Sequence, residues 1–298
     1  MGVPKGGIAF FDSGIGGLTL LAECVRSMPN ALFYYYGDNK HAPYGNLSPK
    51  KIKRRVFRAF RLFKKLKVKA VVLACNTATA VCVDALRKKF SFPIIGVEPA
   101  VNQAAKRGGE VLVLTTRATY NSERFQRLCQ SAQNRYPDAK VVACPCDHLA
   151  GEIERCGWGK IDLINHLPNC RPASVVLGCT HYIYVGEKIA KFYNCEVFDG
   201  NAGTVNRLKD LLEEKEEKNG AKIEILQKNW DEQPPSAKVR EKCPFLPQKT
   251  KIKTGKTKTN KRSQKSRGNM RKRGFFNVFY LGNAQNTNMR SFLRWVKN

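Results

Sequence analysis

Apolar, largely β-branched residues gather in short runs along the first two thirds of the chain, at 8–11, 32–36, 70–74, 94–97, 111–114, 140–143, 174–178 and 195–198. Between these runs lie stretches with helical patterning, over 17–27, 48–66, 78–90, 120–134 and 184–192. Strand and helix patterns in alternation predict βαβ units and mainly parallel sheets. In such folds ligands collect at the carboxyl ends of the strands.

A repeat sharpens the expectation. Val71-Val72-Leu73-Ala74-Cys75-Asn76-Thr77 reads against Val175-Val176-Leu177-Gly178-Cys179-Thr180-His181, at an offset of 104 residues. At that offset the run 8–11, followed by Asp12, falls on 112–115, followed by Thr116. Two matches at one offset predict two similar halves. Each half presents a cysteine where a strand runs out into a loop. The expected fold is α/β: two similar three-layer domains with mainly parallel sheets and the active site in the cleft between them. The first domain takes residues 1–97 with about 208–218 and 275–298, and the second takes 98–207.

The pattern breaks near residue 215. Residues 219–274 are rich in Lys, Thr, Ser, Gly and Asn with little to bury, the signature of a basic, disordered insertion. Structure is expected to resume with a short strand at 275–281 and a terminal helix at 288–296.

Charge is unevenly spread over the 298 residues, whose net charge is +29. Residues 50–69 carry eleven Lys/Arg and no acid, and 238–273 carry fifteen against Glu241 alone. The rest of the chain is nearly neutral. The first run places Ile52, Val56, Ala59, Phe60, Phe63 and Leu66 at helical spacing, so it reads as an amphipathic helix with a solvated basic face. The second lacks interleaved aromatics, which favours weak, non-specific attraction to nucleic acid or an anionic surface over base stacking. A solubilising loop is the plainer reading of it. The eleven cysteines fall at strand ends and elsewhere without a secretory pattern, so reduced thiols are expected. No apolar run has membrane-spanning length, and a cytoplasmic protein is expected.

Cys75 and Cys179 are followed by Asn-Thr and Thr-His, polar surroundings that favour a thiolate. The bland alternative is a pair of buried structural cysteines, against which their repeated context weighs. Structural zinc would ask for close Cys-x-x-Cys spacing. The cluster Cys144-Pro145-Cys146 with His148 lacks a second pair, so no metal is expected. Asp12-Ser13-Gly14-Ile15-Gly16-Gly17 follows the first strand and opens a helix. Its glycines permit a close approach to an anion, or simply a tight turn capped by Ser13. Their order departs from the dinucleotide fingerprint.

Four blocks together carry a family resemblance: Phe11-Asp12-Ser13-Gly14-Ile15-Gly16-Gly17-Leu18-Thr19, Ala42-Pro43-Tyr44-Gly45, Ala74-Cys75-Asn76-Thr77-Ala78-Thr79 and Leu177-Gly178-Cys179-Thr180-His181-Tyr182. In order and spacing they resemble the signatures of glutamate racemase, over about 7–212 and weakly again at 275–296. The resemblance implies a cofactor-independent isomerase interconverting L- and D-glutamate, which supplies D-glutamate for peptidoglycan. Cys75 and Cys179 would be the two acid/base residues, Cys75 serving the D-enantiomer and Cys179 the L-enantiomer. Asp12 would assist Cys75, and His181 with Glu152 would assist Cys179. Ser13, Pro43, Tyr44, Gly45, Asn76, Thr77, Thr116, Thr119 and Thr180, with Asp12 and His181, would hold the substrate. Glutamate is then the small-molecule partner, and a homodimer is compatible with the family. Two alternatives stay open: aspartate or another amino acid as substrate, or an inactive racemase-like scaffold that binds nucleic acid through its basic segments. The chain departs from the family at Tyr182-Ile183-Tyr184, where Tyr-Pro-Leu is usual, and at Cys146-Asp147-His148 in the approach to Glu152.

Overall fold

The computed structural model describes residues 6–157, 161–219 and 278–280. The expected insertion beyond Asn219 and the expected terminal helix lie outside the described residues. In chain order the elements are β1 (Ile8–Asp12), α1 (Leu18–Ser27), β2 (Phe33–Gly37), α2 (Pro49–Lys65), β3 (Ala70–Leu73), α3 (Asn76–Lys89) and β4 (Ile94–Gly96). There follow α4 (Val101–Ala105), β5 (Gly109–Thr115), α5 (Arg117–Tyr120), α6 (Glu123–Arg135), β6 (Ala139–Pro145), α7 (Leu149–Cys156) and β7 (Ser174–Leu177). The last are α8 (Gly186–Tyr193), β8 (Glu196–Phe198), α9 (Asn201–Asn219) and β9 (Val278–Tyr280).

Two wholly parallel sheets result, ordered β4-β3-β1-β2-β9 and β6-β5-β7-β8. Read from the other edge, the second sheet runs β8-β7-β5-β6, the plan of the first four strands of its counterpart. The sequence repeat is therefore β1 onto β5 and β3 onto β7. β9 adds an edge strand beside β2.

Alternate strand residues point to opposite faces, and the cores follow that rule. Ile8 and Phe10 of β1, with Ala70 and Val72 of β3, pack under α1. Ala9, Phe11, Val71 and Leu73 pack on the other face under α2 and α3. The apolar stripe of α2, Ile52, Val56, Ala59, Phe60 and Phe63, is completely buried there. Each of its four large side chains contributes about 1.5–3 kcal/mol by burial, which holds a helix whose outer surface is nearly all cationic. The core on the α1 side continues into the second half through Leu112, Leu114, Leu149, Val175 and Tyr182. One apolar cluster thus joins the two halves. α9 closes over α1, where Asn201 Nδ2 donates to Thr19 Oγ1 at 3.3 Å and Glu23 Oε1 at 2.7 Å.

The helix expected over 120–134 is α6, which starts at Glu123 after the additional short helix α5 has ended at Tyr120. Ser122 sets that start by capping α6, its Oγ accepting from Phe125 N–H at 3.2 Å. Helices α4, α7 and α9 come in addition to those named from sequence. No helix among the described residues is long and apolar enough to cross a membrane. All ten cysteines among the described residues are unpaired thiols.

Candidate active site

In each sheet the connections reverse direction beside the central strand: β1 leads to β2 on one side and is flanked by β3 on the other, and β5 stands likewise between β6 and β7. A crevice opens outside the strand ends at such a reversal. Asp12 ends β1 and Cys75 follows β3; Thr116 follows β5 and Cys179 follows β7. Each cysteine therefore stands at the switch point of its own half.

Cys75 caps α3, its sulfur accepting from Ala78 N–H at 3.5 Å and approaching Ser13 Oγ at 3.6 Å. Burial, reinforced by the Asp12 carboxylate, pushes its pKa far up, so the group rests as a thiol. Cys179 Sγ lies 3.6 Å from His181 Nδ1. Asp12 is itself fully buried. Its Oδ1 accepts from Gly14 N–H at 2.7 Å, and its Oδ2 accepts from Thr180 Oγ1 at 3.5 Å. Burial raises the Asp12 pKa, against the pull of His181 and the Gly14 amide. Polar contacts therefore pair Cys75 with Ser13, Asp12 with Thr180 and Cys179 with His181, on residues adjacent in the chain at the strand ends.

The carboxylate that serves His181 is not the one expected. Glu154, not Glu152, places Oε1 at 2.6 Å from His181 Nε2. Glu152 instead faces His166 Nε2 at 2.8 Å and is one third exposed. The two glutamates lie about 160° apart around α7, on opposite flanks of its buried stripe, so only one can enter the site. Glu154 Oε1 also accepts Ile15 N–H at 2.8 Å, tying the second half to the β1–α1 loop of the first. Gly14 makes room for it: a Cβ there would lie 1.6 Å from Glu154 Oε1. Burial alone would strip the His181 proton, but contacts with Cys179 and Glu154 outweigh it and hold the imidazole pKa well above its ordinary value. Because Nε2 faces a carboxylate, it carries hydrogen. Nδ1 then accepts from the Cys179 thiol or, when protonated, donates to its thiolate.

A second polar group adjoins the first. Thr77 Oγ1 lies 2.9 Å from Thr116 Oγ1 and 3.3 Å from Thr119 Oγ1, and Thr116 and Thr119 are 3.0 Å apart. Gly45 lets its turn press against Thr116, where a Cβ would lie 3.0 Å away. Asn76 Nδ2 is buried with no hydrogen-bond partner among the described residues. Tyr44 is buried in the same apolar cluster as Cys75, but its hydroxyl donates to Asp38 Oδ2 at 2.7 Å. Pro43 precedes it and faces Gly151 of α7.

The structure thus places Asp12, Ser13, Cys75, Thr180, Cys179 and His181 at the strand ends in three contacting pairs, and joins Thr77, Thr116 and Thr119 in a second group against which Gly45 packs. It turns Glu152 away. Sequence reasoning missed Glu154, and also Tyr35 and Tyr184, whose hydroxyls donate to the carbonyls of Gly14 at 2.8 Å and Ile15 at 2.7 Å. Tyr184 belongs to the segment that departs from the family pattern, and its reach across to Ile15 gives that departure a structural use. Cys75 and Cys179 are only 4% and 5% exposed. A cleft of about 680 Å³ is lined by Gly45, Lys53, Arg117, Ala118 and Arg124, and neither sulfur lines it.

The Asp/Glu/Hydantoin racemase family profile matches residues 18–208. A glutamate racemase of Clostridium perfringens is 40% identical over 220 residues, covering 70% of this chain and 83% of that protein. One from Clostridium botulinum is 36% identical over 242 residues, 76% of this chain and 92% of its own. Among solved structures, a glutamate racemase isoform from Bacillus anthracis superposes with a TM-score of 0.61 at 28% identity, covering 72% of this chain and 84% of that one. The Escherichia coli glutamate racemase, solved with L-glutamate and the activator UDP-MurNAc-ala, does so with a TM-score of 0.61 at 29% identity, covering 71% and 83%. With more than half its length matched and the catalytic-type residues at the strand ends of both halves, this chain belongs to the Asp/Glu/hydantoin racemase family and is an amino-acid racemase, an isomerase.

Proposed function

We propose that the reaction is the interconversion of L- and D-glutamate by proton transfer at Cα between Cys75 and Cys179, without a cofactor, and that it supplies D-glutamate for peptidoglycan. The observation that carries this reading is the pair of buried thiols, one at the switch point of each half, each with a polar partner at 3.6 Å. A single base returns its proton to the face it came from, whereas inversion needs a base on one face and an acid on the other. The choice of glutamate rests on the activity named for the relatives.

From L-glutamate, the Cys179 thiolate, held by the proton on His181 Nδ1, takes the α-proton. The electron pair left on Cα spreads into the α-carboxylate. The Cys75 thiol then protonates the opposite face, leaving a thiolate against Ser13 and the Ala78 amide; D-glutamate runs the same steps in reverse. Glu154 keeps the His181 proton in place, and Asp12 assists Cys75. Charge growing on the carboxylate calls for donors already aimed at it. Asn76 Nδ2, unspent within the protein, and the hydroxyls of Thr77, Thr116, Thr119 and Thr180 suit that task. Because both sulfurs are buried, substrate entry requires the halves to part near Gly45 and Thr116, a gating step of the kind common in closed sites.

The test is circular dichroism of L- or D-glutamate with purified protein and no added cofactor, run in parallel in deuterium oxide with NMR at Cα. Racemisation with deuterium uptake is expected, and Cys75→Ser and Cys179→Ser should each lower it about 100- to 10,000-fold. Dependence on pyridoxal phosphate, or loss with a chelator, would overturn the mechanism. Turnover of aspartate in place of glutamate would move the substrate assignment.

A further inference from the structure

The outer surface of α2 has no role in the site. With Ile52, Val56, Ala59, Phe60 and Phe63 turned inward, the residues Lys50, Arg54, Arg58, Arg61 and Lys65 are all exposed. At 100° per residue these five fall within an arc of about 80° and form a straight ridge of about 22 Å. None makes an ion pair among the described residues; the one ion pair of this helix is Arg55 with Asp38. Asp84 is the single acid between residues 50 and 90, and exposed Lys67, Lys69, Lys88 and Lys89 extend the same charge. Like charges at i, i+4 repel along a helix, and nothing in the described chain relieves that repulsion.

The chemistry of the ridge restricts what could. The exposed large apolar side chains among the described residues are Ile164 and Phe192, neither of them here. The ridge therefore offers no platform for stacked bases. The apolar face a helix would need to settle into a bilayer is already spent on the core. A linear row of cations without apolar or aromatic contacts matches a linear row of phosphates, and duplex nucleic acid offers about one charge per 1.7 Å of its axis. We propose that the Lys50–Arg54–Arg58–Arg61–Lys65 ridge of α2 docks the phosphodiester backbone of duplex nucleic acid without reading its sequence. This surface is separate from the racemase centre, so it stands or falls independently of the reaction proposed above.

The experiment is fluorescence anisotropy of a labelled 20-base-pair DNA duplex with the full chain, titrated across salt. A variant carrying Lys50→Gln, Arg54→Gln, Arg58→Gln, Arg61→Gln and Lys65→Gln keeps good helix formers on the ridge. Its far-ultraviolet spectrum and racemisation should equal the parent's. Its binding should weaken at least tenfold at moderate salt, and its slope of log K against log salt should flatten by about 0.9 for each phosphate that the variant no longer neutralises. Two duplexes of unrelated sequence should bind alike. Equal binding by parent and variant would overturn the proposal. So would complete loss of binding when only the cations of 249–273 are replaced by Gln, and so would binding to vesicles containing anionic lipid with none to the duplex.

Discussion

Glu154 Oε1 lies 2.6 Å from His181 Nε2, and the same oxygen accepts the Ile15 amide at 2.8 Å. One carboxylate thus fixes the ring that faces Cys179 and fastens that ring to the loop that carries Asp12 and Ser13. The contact between the halves and the setting of the ring that faces Cys179 therefore share one side chain.

Glu154→Gln keeps the shape and removes the charge. Racemisation should fall by about 10- to 100-fold or more, as for the loss of a group that holds an acid/base residue. Glu152→Gln, which alters partly exposed pairings with His166 and Arg155, should stay within about twofold of the parent, because partly exposed pairs contribute little. The sign of the pH effect follows from His181, whose folded pKa is raised. Stability from such a group is fully present below the unfolded value of 6.5 and is lost as pH rises through the folded value. The gap in melting temperature between parent and Glu154→Gln should be widest near pH 6 and narrow in alkali. Equal activity for Glu154→Gln, with a large loss for Glu152→Gln, would restore the assignment read from sequence.

Asp12 pulls the other way. Burial raises its carboxyl pKa, so the fold favours the neutral acid. Stability from this group is full below the unfolded value of 3.8 and is lost as pH rises through the raised one. Asp12→Asn removes that cost while its side-chain oxygen can still accept from Gly14. Thermal melts should place the variant at or above the parent at pH 7 to 8, with the difference gone below pH 3.8. Activity should fall about 100- to 10,000-fold. A variant that melts well below the parent at pH 8 would mean that Asp12 serves the fold rather than the chemistry.

The strands were legible because burial on both faces writes continuous apolar runs. The observed β1 and β5 include Ile8 to Phe11 and Val111 to Leu114, as their sequence runs predicted. The two cysteines were legible because the repeat placed both at strand ends. What sequence did not decide was tertiary. Glu152 and Glu154 flank the same buried stripe of Leu149, Ala150 and Ile153, and helical spacing cannot say which flank meets the other half. The hint lay elsewhere in the chain, at Gly14. Tyr184 was passed over because its use is a single hydroxyl bond to a carbonyl 169 positions away, which leaves no periodic trace.

Gly14→Ala tests that hint. The new methyl would overlap Glu154 Oε1 and come within 3.0 Å of Ala42 Cβ, so the carboxylate must leave. Activity should drop as it does for Glu154→Gln, with about 1–3 kcal/mol of destabilisation from overpacking. The double variant Gly14→Ala with Glu154→Ala should be no less active than Glu154→Ala alone, since residues acting through one contact are not additive. Losses that simply multiply in steady-state kinetics would show that Gly14 matters for another reason.

Asn76 offers the cleanest separation of binding from folding. Its Nδ2 is buried and has no partner among the described residues, so Asn76→Ala breaks no bond of the fold and removes an unsatisfied donor. The melting temperature should therefore hold within about 2 °C of the parent, because a change under about 1 kcal/mol shifts a chain of this size by no more than a few degrees. If the amide meets the substrate carboxylate, kcat/KM should fall by roughly 10- to 150-fold, the worth of a hydrogen bond to a charged group of about 1.5–3 kcal/mol. Should that charge grow on the way to the carbanion, kcat falls along with the rise in KM; a change in KM alone would make Asn76 a ground-state contact. A large drop in melting temperature with kcat/KM intact would remove Asn76 from the site, and with it the argument that an unspent buried donor marks where the carboxylate lies.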